Sequence, residues 1–166
     1  MIIDFLHEPG FFGTAANRAV DMTLVAMILM ATLFTIGVVL ARRKQYEAHR
    51  WFQTSGTLIN IIFVTWMMFL PFAYEIAPDI PERLGERFYW VTTLHALVGI
   101  VGYTFGAFVT LRGNFGDRAW FPKALAFNNY KLFMRIAYGF YMTAAVLGVW
   151  VYFVWFVNNP NPPTFG

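Results

Sequence analysis

The run of 24 residues from Phe88 to Leu111 most constrains the fold, because it contains no Asp, Glu, Lys or Arg. At about 1.5 Å per residue, a helix of this length crosses the roughly 30 Å of hydrocarbon in a bilayer. Three further apolar runs of similar length lie at about 22–41, 51–74 and 136–157. Only 13% of the 166 residues are charged, against about 25% in an ordinary soluble domain. The sequence predicts an all-α integral membrane four-helix bundle, a single transmembrane domain over 1–166.

The segments outside the four runs are polar or mixed in composition. Residues 1–21 combine short apolar pairs with Asp4, Glu8 and Pro9, so we expect an arm lying at the membrane interface. Residues 75–87 hold four acidic residues and two prolines, which predicts a short solvent-facing connection. Residues 113–131 carry aromatic side chains beside lysines and are expected to lie on the membrane surface.

The basic residues predict an orientation. Nine of the twelve fall in the connections between runs one and two and between runs three and four: Arg42, Arg43, Lys44, Arg50, Arg112, Arg118, Lys123, Lys131 and Arg135. The positive-inside rule places these connections in the cytoplasm and both termini outside, an N-out/C-out topology. We expect a multi-pass protein of a bacterial inner (plasma) membrane. The net charge of +3 is too small to suggest a nucleic-acid partner.

His95 is the only titratable side chain other than tyrosine well inside an apolar run. Gly99, Gly102 and Gly106 follow it at offsets of four, seven and eleven, so all four share one helical stripe. Small residues on such a stripe let a neighbouring helix pack closely. The sequence leaves two interpretations of His95 open: a core histidine bonded to a neighbouring helix, or a ligand or proton-handling group.

The second run carries its polar groups in one line. His49, Gln53, Gly56, Asn60 and Met67 follow one another at helical offsets, and lipid cannot satisfy such groups, so the line should face the bundle interior. Inter-helix hydrogen bonding is the simpler interpretation, and a polar track or cofactor wall is the alternative. In the fourth run a second stripe is formed by Tyr138, Tyr141, Ala145, Gly148 and Tyr152.

Signatures of self-sufficient catalysis are missing from the sequence, which has no phosphate-binding Gly-Lys-Ser loop and no paired carboxylates in the apolar runs. We therefore expect no enzyme. His49 and His95 differ in depth by about 25 Å on the helical rise, so they cannot share one metal ion. Met67 is predicted at nearly the depth of His95, and methionine and histidine together can hold haem iron. The cofactor and metal stay unidentified, with haem b as one candidate.

Three stretches carry a resemblance to a known family: "AHRW" opening the second run, "LHALVG" in the third, and "NNYKLFMRIAYGFYMTAAVLGVWVY" leading into the fourth. Together they resemble the CtaM-like family of small four-helix membrane proteins, which is linked to maturation of haem-copper cytochrome oxidases. That family has histidines at two membrane levels. His49 and His95 match two of its four positions, while Met67 and its neighbours and Asn128 with Asn129 stand at the other two.

The resemblance implies an assembly factor or accessory subunit of a respiratory or photosynthetic electron-transfer complex, with the lipid bilayer and a larger membrane redox complex as partners. The alternative is a b-type haem or quinone-binding membrane electron carrier that uses His95 and Met67, with the polar line beside them.

Overall fold

The computed structural model describes residues 2–116, 118–125 and 127–159; Met1 of the predicted arm and the tail 160–166 lie outside these ranges. Across the described residues the chain is helical and forms no strand. The α-helices are α1 (Ile2–His7), α2 (Arg18–Arg42), α3 (Tyr46–Val64), α4 (Ile80–Arg83), α5 (Arg87–Phe115) and α6 (Tyr130–Tyr152). Wider π-helical turns continue α3 and α6, so four helical segments are long and apolar enough to cross a membrane: Arg18–Arg42, Tyr46–Arg83, Arg87–Phe115 and Tyr130–Val157.

The first long helix begins earlier than the sequence predicts. Asn17 caps α2 by accepting a hydrogen bond of 3.0 Å from the backbone N–H of Val20, and a capping side chain of this kind fixes a helix start. The arm therefore ends at Asn17 and not at Asp21. It is also tied to the bundle, since Ala15 N donates to Phe156 O at 3.2 Å.

The connection at 75–87 is mostly exposed, as the sequence predicts, but it is not a short loop, because helical turns continue to Arg83. Pro71 lacks a backbone N–H, and π-helical turns at Thr65–Phe69 and Phe72–Ile76 flank it; such turns relieve a missing hydrogen bond without ending a helix. Pro78 and Pro81 stand in the first turns of the 3-10 segment and of α4, where the missing N–H has no helical partner to lose.

The third and fourth helices extend toward each other beyond their predicted limits. Arg112 was predicted to close the third span, yet α5 continues to Phe115 and Arg112 is buried within it. The rings of Phe121, Phe127 and Tyr130 face its guanidinium at 5.2 to 5.7 Å. The segment predicted to lie on the membrane surface therefore turns these rings onto the bundle, while Trp120 stays exposed.

The four long helices form a ring in which sequence neighbours run antiparallel. Side chains join α3 to α5 through a 3.0 Å hydrogen bond between the hydroxyls of Thr57 and Thr110. A 2.9 Å bond between Thr35 Oγ1 and Tyr138 Oη joins α2 to α6 and closes the ring. We call the end that carries the N-terminal arm the capped end, and the end that carries Arg43 the basic end.

The largest buried cluster lies at the capped end. It consists of Ala16, Tyr89, Tyr152, Val154, Trp155 and Phe156. Trp155 Nε1 donates to Thr92 Oγ1 at 2.8 Å and to Phe88 O at 3.1 Å, which satisfies the indole N–H inside the cluster. The N-terminal arm and the last turns of the fourth helix are thus packed together.

Candidate functional site

His95 lies where α2, α5 and α6 meet. Its Nδ1 is 2.9 Å from the carbonyl oxygen of Ala144 in α6. A carbonyl oxygen can only accept a hydrogen bond, so Nδ1 carries the proton and Nε2 keeps a lone pair. A Cβ atom at Gly148 would stand 2.6 Å from Met27 Sδ and 3.0 Å from His95 Cε1. Gly148 therefore makes the room in which the imidazole and the thioether lie side by side.

The structure does not bring Met67 to His95. A 3.3 Å bond between Thr65 Oγ1 and Tyr103 Oη sets the register of the second helix against α5. This register places Met67 beside residue 101, about six residues or 9 Å from the level of His95. The predicted pairing is therefore wrong in depth, and the sulfur beside His95 is that of Met27.

The difference of about 25 Å predicted between the depths of His49 and His95 holds only if His49 is level with Arg112. Asn114 Nδ2 donates to Thr54 Oγ1 at 2.9 Å, so Arg112 lies opposite residue 56, about one and a half to two turns beyond His49. Periodicity within one helix fixes which face a residue occupies, but it says nothing about the axial offset between two helices.

The polar line on α3 faces α2 and α6. His49 Nδ1 lies 2.7 Å from the carbonyl oxygen of Gly37, and Gln53 Nε2 donates to Phe34 O at 3.3 Å. Asn60, which is 8% exposed, accepts a 3.5 Å bond from Tyr141 Oη. Each group is thus bonded to another helix and not to the next member of the line, as inter-helix hydrogen bonding requires.

The three glycines after His95 differ in how closely another helix approaches them. At Gly102 an added Cβ would lie 3.2 Å from Phe140 Cβ and 3.4 Å from the Phe140 carbonyl carbon, so α6 crosses closely here. At Gly99 and Gly106 an added Cβ would meet nothing within 4 Å. The close crossing predicted for all three glycines is therefore limited to Gly102.

Asp21 is a site residue that the sequence analysis did not single out. Its side chain is fully buried, although it stands in the first turn of α2. Tyr152 Oη donates to Oδ1 at 2.7 Å and Phe12 N donates to Oδ2 at 2.9 Å, while Thr14 Oγ1 lies 2.8 Å from Tyr152 Oη. One signal in the sequence could have indicated Asp21. Tyr152 ends the stripe predicted in the fourth helix, and its hydroxyl requires a polar partner.

The chemistry that these residues can support is limited to a few donor atoms. Among the described residues no group of three or more His, Asp or Glu is placed to hold a metal ion. His95 and Met27 offer one nitrogen and one sulfur donor that lie beside each other. His49 offers a single Nε2 at the basic end.

A charged cluster lies at the capped end, where the second helical segment ends and the third begins. The Arg83 guanidinium donates to both carboxylate oxygens of Glu86, at 2.8 and 3.0 Å, and to Tyr89 Oη at 2.7 Å. Tyr89 Oη in turn donates to Asp79 at 2.9 Å. The hydrogen bonds from Arg83 lower the pKa of Glu86 below its ordinary value of 4.5.

We expect this cluster to weaken in acid. Because the pKa of Glu86 is lowered by folding, its stabilisation is present above pH 4.5 and is lost as the pH falls through the lowered pKa. In an NMR titration of the protein in detergent, Arg83→Gln should raise the pKa of Glu86 toward its ordinary value. Arg87→Gln is the matched control and should leave it unchanged; equal shifts in both variants would contradict the assignment.

Comparisons with models of protein families, with curated proteins and with solved structures give no match to this chain.

Proposed function

We propose that the chain is a multi-pass membrane protein with its basic end in the cytoplasm and both termini outside. The support is the outward surface of the four long helices, where large apolar side chains such as Ile62 and Val146 are 71% and 67% exposed. Exposed apolar surface of this extent marks a partner or a membrane, and four helices have the length and composition to cross one.

The lack of cysteine allows a direct test of this topology. A single cysteine introduced at Glu82, beyond the capped end, should react with a membrane-impermeant maleimide in intact cells. A single cysteine at Arg118, beyond the basic end, should react only after permeabilisation. The reverse pattern would contradict the orientation, and release of the protein by alkaline carbonate would contradict insertion.

Within that membrane, we propose that the protein serves a respiratory or photosynthetic electron-transfer complex as an assembly factor or accessory subunit. The observation that carries the proposal is that the interior polar side chains bond within the bundle. His49, Gln53 and His95 each form a hydrogen bond with the backbone of another helix. These side chains therefore stabilise the bundle, and we assign partner recognition to its outer surface. The resemblance to the CtaM-like family points to a cytochrome oxidase, in a bacterial inner membrane.

Exposed aromatic side chains provide the contact surface to be tested. Trp66 and Tyr74 are 68% and 78% exposed on the second helical segment, and aromatic residues are enriched where proteins meet. Purification in mild detergent should recover oxidase or reaction-centre subunits with the native chain and fewer with Trp66→Ala/Tyr74→Ala. Leu58→Ala, exposed on the same segment, is the matched control. Recovery of no redox subunit, together with unchanged haem spectra in a deletion strain, would contradict the proposal.

A second candidate function is a b-type haem or quinone-binding electron carrier. It is favoured by the bond from His95 Nδ1 to the Ala144 carbonyl, since ligating histidines commonly donate their second ring N–H in this way. His95 Nε2 and Met27 Sδ are the atoms that would hold haem iron, and the haem would supply one-electron transfer. Met67 is too far along the axis to serve.

An optical spectrum of the purified protein distinguishes the two functions. A Soret band that is lost in His95→Ala, altered in Met27→Leu and retained in Met67→Leu would support the carrier. A featureless visible spectrum from protein that still recovers redox subunits would support the accessory function alone.

A further inference from the structure

A long groove runs between α2 and α6 on the outside of the bundle. Its volume is about 530 Å³ and its walls are apolar over most of their length. The α2 wall extends from Met27 to Arg43, sixteen residues or about 24 Å at the helical rise. The α6 wall is formed by Met142, Ala145, Val146 and Val149. The hydrogen bond between Thr35 and Tyr138 lies near the floor of the groove.

The dimensions of the groove suit a single hydrocarbon chain. Its volume of about 530 Å³ is close to that of one phospholipid acyl chain. An α-helix with its side chains is about 10 Å across, so a length of helix that matches the α2 wall occupies several times this volume. A partner helix could therefore cover the groove but could not occupy it.

Three cations lie toward the basic end of the groove. Arg43 lines the groove directly. The register set by Thr35 and Tyr138 places it opposite the start of α6, where Lys131 and Arg135 continue the groove-lining stripe eleven and seven residues before Met142. All three side chains are exposed, and none forms an ion pair with a carboxylate of the residues that the structure describes.

We propose that this groove binds one acyl chain of an anionic phospholipid, with the lipid phosphate held by Arg43, Lys131 and Arg135. Basic residues at the cytoplasmic ends of transmembrane helices select anionic headgroups, and each contributes about fivefold in affinity. Three such residues predict a preference of about a hundredfold over a neutral lipid with the same chains. The inference goes beyond the proposed function and rests only on the membrane orientation, which cysteine labelling tests separately.

Native mass spectrometry of the delipidated protein tests the proposal with two probes, phosphatidylglycerol and phosphatidylcholine of identical acyl composition. One phosphatidylglycerol molecule should bind per chain, far more tightly than phosphatidylcholine. In Arg43→Gln/Lys131→Gln/Arg135→Gln the two lipids should bind equally weakly. Arg118→Gln, which removes a cation of the basic end away from the groove, is the matched control and should keep the preference.

A second variant tests the acyl-chain site independently of charge. Ala145→Phe fills the groove from its α6 wall, so it should abolish the single tight lipid while the protein keeps its helical circular dichroism and its monomer mass. Equal binding of the two lipids by the native chain would overturn the proposal. So would an equal loss in Arg118→Gln, or an Ala145→Phe variant that keeps the lipid and instead changes the oligomeric state, since the latter would assign the groove to another helix.

Discussion

Replacing Asp21 with alanine is expected to lower the free energy of unfolding by about 3 to 5 kcal/mol, because two hydrogen bonds to a buried carboxylate are lost together. Tyr152 Oη and Phe12 N would both be left without this acceptor. For a chain of this length the change corresponds to a fall of about 10 °C in Tm. Thermal unfolding in detergent, followed by circular dichroism, measures it.

Two matched variants separate the buried carboxylate from the arm in general. Asp21→Asn keeps one acceptor oxygen, so its loss should be less than half that of the alanine variant. Glu8→Ala removes an ion pair at the surface of the arm, because the half-exposed Glu8 side chain bonds Arg18 at 2.8 Å; pairs of this kind contribute at most about 1 kcal/mol. If Glu8→Ala matched Asp21→Ala, the anchor would be the arm's surface contacts and not Asp21.

The same bonds give the N-terminal arm an anchor that composition does not predict. An arm at the interface would be held by its apolar side chains alone, and Phe11 and Phe12 are indeed half-exposed. Here the backbone of the arm bonds to Asp21 and Phe156, which belong to the first and last long helices. The arm therefore closes the capped end of the bundle, and its position depends on two helices far apart in sequence.

Helical periodicity predicted the inward faces because it is a property of one helix at a time. The offsets of Gln53 and Asn60 placed them on one line, and both contact other helices. The stripe from Tyr138 to Tyr152 likewise meets α2, through Thr35 at one end and Asp21 at the other. In both cases the helical repeat of 3.6 residues was sufficient to predict which face of the helix points inward.

Axial register could not be read in this way, because it depends on where each helix begins and on contacts between helices. The predicted pairing of Met67 with His95 depended on this register, and the sulfur that lies beside His95 is that of Met27. The predicted end of a helix is also wrong where a charged residue closes an apolar run but the helix continues. Arg112 lies inside α5, where the rings of Phe121 and Phe127 from the following loop face its guanidinium at 5.7 Å, and no local pattern in the sequence predicts this contact.

A leucine at Gly102 is expected to lower the free energy of unfolding by about 2 to 3 kcal/mol, because its Cβ would lie 3.2 Å from Phe140 Cβ, which is fixed to the α6 backbone and cannot move away by a change of rotamer. The atoms next to that Cβ position are Phe140 Cβ, the Phe140 carbonyl carbon and Tyr141 N. Relief requires α5 and α6 to separate, and this would also disturb the bond from His95 to the Ala144 carbonyl. Urea or thermal unfolding in detergent measures the change.

Gly99→Leu and Gly106→Leu are the matched controls, since they add the same side chain on the same stripe where an added Cβ meets nothing within 4 Å. Leucine is the better helix former by about 0.8 kcal/mol, so both variants should leave the stability unchanged or raise it slightly. The sign of the effect thus distinguishes a single close crossing at Gly102 from a continuous glycine seam. Equal destabilisation in all three variants would show that all three glycines face a neighbouring helix closely, as expected from the sequence.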